Sequence, residues 1–112
     1  MEKIPFIVLI ILSIPSCTQS DVPPVSDTPK VTYISDIKPL IATKCTPCHL
    51  PPDGFKTFFN TYDLSKVYID EMIRRIQLPR TDTLFMPWKS AALASSQVLK
   101  FIQWKADGLL EN

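Results

Sequence analysis

Glycine is scarce in this chain, with Gly 2 against Pro 11 in 112 residues. That balance excludes long flexible linkers and points to stiff connections and short loops. An excess of either charge is also missing, since Lys+Arg 12 faces Asp+Glu 11. Without a basic excess there is no footprint for nucleic acid. Without an acidic excess there is no solvated tail. Histidine occurs once, as His49, which excludes a catalytic pair of the triad kind built on histidine. The apolar run from Ile4 to Ile14, broken only by Pro5 and Ser13, is too short to span a bilayer comfortably. No internal repeat is visible, and the length is that of one domain.

The apolar run does fit the core of a signal peptide over residues 1–16, behind a weak n-region of Glu2 and Lys3. Ile14-Pro15-Ser16-Cys17 closes the run and resembles a bacterial lipobox, although the proline before Ser16 departs from the commonest pattern. The resemblance implies an acylated Cys17 as the mature N-terminus. The bland alternative, a simple secretory signal, leaves Cys17 as a spare thiol in an oxidising compartment, which is a liability. Residues 17–30 then form a tether with Pro23, Pro24 and Pro29 among Ser, Thr and Asp, polar enough to have no core of its own. The globular part is residues 31–112, and a core that small is marginal without a staple or a cofactor.

Three helices are legible there. The first is expected to start with Asp36 as N-cap, to carry Ile37, Leu40 and Ile41 on one face, and to run toward Lys44. Pro39 falls in its first turn, where backbone N–H groups lack partners. The second spans Asp63 to about Gln77 and is stopped by Pro79. Its expected apolar stripe is Leu64, Val67, Tyr68, Met72 and Ile76, with Ile69 and Ile73 alongside. Arg74 and Arg75 suit its C-terminal end. The third runs from about Ser96 to Asp107, with Val98, Phe101 and Trp104 on one face and Gly108 as its left-handed terminator. No alternation is sustained, although residues 55–62 suit a short extended piece. The fold class is all-α.

The chemistry-bearing segment is Cys45-Thr46-Pro47-Cys48-His49. A C-x-x-C-H run is the mark of c-type haem attachment. Two cysteines three apart on a helical turn reach the two vinyl groups along one porphyrin edge. The following histidine then lies under the iron as proximal ligand. A redox dithiol of the thioredoxin kind would follow a strand in an α/β pattern, and no such pattern is present. Structural zinc usually takes four ligands, and Cys45, Cys48 and His49 are three. With Cys 3 in the chain, one lipid and two thioether bonds account for every sulfur. A single histidine also excludes bis-histidine ligation.

Ile37-Lys38-Pro39-Leu40, the haem motif, Met86-Pro87, and Gln97 through Trp104 to Gly108 are together similar to small class I monohaem cytochromes c. The resemblance covers nearly everything after the tether. It implies a cytochrome c-like fold of three or more short helices around one covalently bound haem c. It also implies Met86 as the distal ligand, carried on a methionine loop. Met72 sits on the second helix, where packing accounts for it. A carbonyl near Pro51 or Pro52 is the expected acceptor for the other His49 N–H. Phe58, Phe59, Trp88 and Trp104 either line the haem or pack, packing being the default for each, and Arg80 and Lys89 either meet a propionate or stay as solvated surface charges, again the default. The family often has Ser or Thr one residue before Ser95. Here that residue is Ala94, so Ser95 or Ser96 is the expected cap of the last helix.

The resemblance implies electron transfer on the periplasmic side of a bacterial membrane, the N-terminal lipid serving as anchor. The expected partners are an oxidase, reductase or dehydrogenase. A stand-alone enzyme is not expected. The competing expectations are a haem-based small-ligand binder or sensor, should Met86 leave the sixth site open, and a haem subunit of a larger oxidoreductase complex.

Overall fold

The computed structural model describes residues 28–112, so the expected signal peptide, Cys17 and most of the tether lie outside the described residues. Among the described residues there are three α-helices and one wide helical turn, with no strand. None of these helices is long and apolar enough to cross a membrane. The all-α expectation holds at this level, and residues 55–61 run without a ladder.

The first helical segment begins earlier than its sequence suggests. A π-helical turn, Tyr33–Ile37, leads directly into α1, Lys38–Lys44. Its N-cap is Thr32, whose hydroxyl accepts from the Ser35 N–H at 3.4 Å, while Asp36 Oδ2 accepts from the Thr32 N–H at 3.1 Å. Asp36 is therefore the reciprocal acceptor of a capping arrangement and not the cap itself. The wide turn stands immediately before Pro39, whose ring in a regular α-helix would clash with the carbonyl four residues back.

Helix α2 spans Tyr62–Ile76 and is capped by Thr61, which accepts from the Leu64 N–H at 3.3 Å. Its buried residues are Ser65, Ile69 and Met72, with Ile73 and Ile76 packed against the core. The expected stripe is thus rotated. Val67 is 73% exposed, and Leu64 and Tyr68 also reach solvent.

Helix α3 spans Ser95–Ala106. Ala94 occupies its N-cap, so neither Ser95 nor Ser96 does. Gln97 Oε1 instead accepts from the Ala94 N–H at 3.0 Å. At the other end Gly108 has φ +94°. The Gly108 N–H donates to the Lys105 carbonyl and the Leu109 N–H to the Trp104 carbonyl, at 3.2 and 2.9 Å. These are the two bonds of a Schellman terminator.

The turn directs residues 109–111 back across the start of the first segment. Tyr33 N–H donates to the Leu110 carbonyl at 2.8 Å and Ile34 N–H to Glu111 at 3.0 Å. Trp104 Nε1 donates to the same Leu110 carbonyl at 2.8 Å, and Tyr62 Oη donates to the Leu109 carbonyl at 2.7 Å. The core consists of Tyr33, Ile37, Ile41, Ile69, Met72, Phe101 and Trp104. It ties both ends of the domain to α2 and leaves the segment 45–61 and the loop 77–94 free to frame a cleft.

Candidate functional site

The cysteine motif begins where α1 ends. Cys45 is the C-cap residue, its N–H donating to the Ile41 carbonyl. The His49 N–H donates to the Cys45 carbonyl at 3.0 Å, which continues the turn and keeps Cys45, Cys48 and His49 on one compact loop. The Cys48 carbonyl accepts from both Phe55 and Lys56 N–H, at 3.2 and 3.1 Å. These bonds fold residues 50–54 into a tight excursion. Gly54 is needed there, because a Cβ would lie 2.6 Å from the Leu50 carbonyl oxygen.

His49 is fixed on two sides. Its Nδ1 lies 2.6 Å from the Thr57 carbonyl oxygen. A carbonyl only accepts, so Nδ1 carries the proton, and in the neutral ring Nε2 is the nitrogen with the lone pair. The acceptor is Thr57, not a carbonyl near Pro51 or Pro52. The Phe59 ring is stacked on the imidazole, with centroids 4.4 Å apart and planes 14° off parallel.

Met86 reaches the same region from the opposite loop. Its N–H donates to the carbonyl of Arg75 in the last turn of α2, at 3.2 Å. The Arg75 side chain is held in turn by Glu71, Nε to Oε1 at 2.6 Å. Arg74 binds the same carboxylate. Hydrogen bonds from Arg74 and Arg75 hold the Glu71 carboxyl down at about 2.

Cys45, Cys48, His49 and Met86 all line one cleft of about 720 Å³, within the range of sites that bury a cofactor-sized molecule. Its walls are mostly apolar and include Phe59, Tyr68, Ile76, Leu93 and Phe101, with Phe55 and Trp88 also present. Met72 lines the cleft as well, but it is a core residue at 7% exposure. Trp104 belongs to the core, as expected. Phe59 and Trp88 line the cleft, so packing alone does not describe them. The basic side chains on the cleft are Lys44, Lys56 and Arg75. Arg80 and Lys89 are not among its lining residues, and Lys89 Nζ sits 4.2 Å over the Trp88 ring.

The chemistry of the donors separates the readings of the motif. Cys45 and Cys48 are free thiols, and burial pushes the Cys45 thiol up to about 11. A redox dithiol needs the reverse, a thiol pKa lowered toward neutrality. Among the described residues, no three His, Cys, Asp or Glu side chains gather as a metal-binding group. The donors present do fit a haem c: two thiols three residues apart, an imidazole with a free Nε2, and a thioether on the same apolar cleft.

Sequence reasoning missed Thr57, the Phe59 stack, and the Glu71–Arg75 support beneath Met86. Only the last left a signal, in the four-residue spacing of Glu71 and Arg75 on a helix. No protein-family profile, curated protein or solved structure matches this chain.

Proposed function

We propose that this chain is an exported, lipid-anchored electron carrier of the class I monohaem cytochrome c type, with one covalently held haem c. The observation that carries the reading is the convergence of Cys45, Cys48, His49 and Met86 on one apolar cleft. The His49 Nδ1, engaged by Thr57, adds to it by leaving Nε2 available.

Cys45 and Cys48 would hold the porphyrin through thioether bonds, each S–H adding across a vinyl group, sulfur to one carbon and hydrogen to the other, with no net oxidation. His49 would offer Nε2 to the iron, with its tautomer set by the Thr57 carbonyl. Met86 would offer its sulfur as a second donor to the iron, one that raises the potential relative to harder ligands. Bound haem supplies an iron that alternates between the ferrous and ferric states. Ile76, Leu93 and Phe101 would give the group apolar walls, and Lys44 and Lys56 offer positive charge beside it. Acylation of Cys17 and the tether over residues 17–30 hold the domain near a membrane oxidase, reductase or dehydrogenase, within reach of weak, small-area encounters.

The test is the absorption spectrum of the matured, reduced protein with and without carbon monoxide. An electron carrier with Met86 on the iron barely responds. A large spectral shift would mean an open sixth site and would favour the ligand-binding alternative.

A further inference from the structure

We propose that Phe59 is a positioning residue that sets the plane of the axial imidazole, an inference that rests on the haem reading of the same cleft. The imidazole of a histidine turns about a soft sp³–sp² torsion. The Nδ1 bond to Thr57 restrains one edge of the His49 ring, and the Phe59 ring covers one face, nearly parallel at 4.4 Å. Such a stack restrains the ring beyond what simple burial does.

Phe59 is itself strapped in place from both sides of its backbone. Its N–H donates to the His49 carbonyl at 3.0 Å. Its carbonyl accepts from Ser65 Oγ at 3.0 Å. Ser65 is the one fully buried polar side chain among the described residues, and its hydroxyl proton is committed to this bond. The Phe59 ring then leans on Tyr68, with centroids 5.7 Å apart and planes at 53°. Ser65 on α2 thus holds Phe59, and Phe59 holds the face of His49. An imidazole so held has one azimuth about its iron bond. That azimuth orients the ligand π-orbital against the porphyrin and so sets the magnetic anisotropy of the low-spin ferric state.

The experiment is electron paramagnetic resonance of the oxidised, haem-loaded full chain. The variants are Phe59→Leu and Phe59→Met, two apolar replacements without a ring, with Phe59→Tyr as the aromatic control and Ser65→Ala to loosen the strap while keeping the ring. Expected are a displaced largest g value and broader lines in the Leu and Met proteins, wild-type g values in the Tyr protein, and broadening in the Ser65→Ala protein. The near-infrared band of the iron–sulfur bond stays in all four. If Phe59→Leu or Phe59→Met lowers thermal stability with g values and linewidths unchanged, Phe59 only packs and the inference fails. If neither of those two matures, unchanged lines in Ser65→Ala overturn the inference as well. A colourless wild-type protein is a different outcome, which overturns the haem reading itself.

Discussion

Trp104→Phe tests how the fold is closed. Trp104 is fully buried and its Nε1 donates to the Leu110 carbonyl at 2.8 Å. The same carbonyl accepts from the Tyr33 N–H at 2.8 Å, so the substitution leaves no orphaned acceptor. The cost is then one net hydrogen bond, about 1 kcal/mol, plus roughly 1 kcal/mol for the cavity left by the smaller ring. A loss of about 2 kcal/mol in a domain of this size lowers Tm by roughly 8–16 °C. The assay is thermal unfolding of the matured protein followed by far-ultraviolet circular dichroism. Val67→Ala is the control: Val67 is 73% exposed and lies outside the cleft, and a surface change of this kind stays within about 0.5 kcal/mol. Equal Tm shifts in the two variants would refute the assignment of Trp104 to the core and of residues 109–111 to the face of the first segment.

The two methionines separate in a similar way. Met86→Ala abolishes the near-infrared sulfur-to-ferric-iron band. Met72→Ala keeps it and costs about 2–5 kcal/mol of stability as a core truncation, read by denaturant unfolding. Gly54→Ala forces a Cβ against the Leu50 carbonyl and destabilises the loop beneath His49 by about 1–3 kcal/mol, seen as lower Tm and lower haem loading. Glu71 has its folded pKa depressed from 4.5 to about 2 by Arg74 and Arg75. Its contribution is therefore present above about pH 4.5 and is lost as pH falls toward 2. Glu71→Gln flattens that part of the acid limb in a plot of Tm against pH and lowers the neutral-to-alkaline limb without changing its slope.

What was legible in the sequence was local. Gly108 announced a helix end because a left-handed residue is required there, and its φ is +94°. Phe101 and Trp104 share the buried face their spacing gave them. The cysteine motif and Met86 were legible as chemistry, and they line one cleft. What was not legible depended on partners. Helix α2 has apolar residues on more than one side, so Leu64 and Val67 fit a stripe as well as Ile69 and Ile76 do. Burial at Ser65, Ile69 and Met72 settles the face, and a buried serine is invisible to an apolar period. Asp36 resembled a cap because it does accept an end amide, that of Thr32. Its other oxygen accepts from Lys100 Nζ on α3 at 2.8 Å, a pairing across 64 residues that no local pattern contains. The Thr57 carbonyl was equally hidden, since any backbone in reach could have served His49.

The central claim is that the chain carries one porphyrin through thioether bonds. Intact-mass spectrometry under denaturing conditions tests it most directly, on protein matured in cells with the haem-attachment machinery and then treated with a thiol-alkylating reagent. The account predicts a mass increased by a single haem, with Cys45 and Cys48 unmodified by the reagent. A polypeptide at its apo mass with both cysteines alkylated would contradict it.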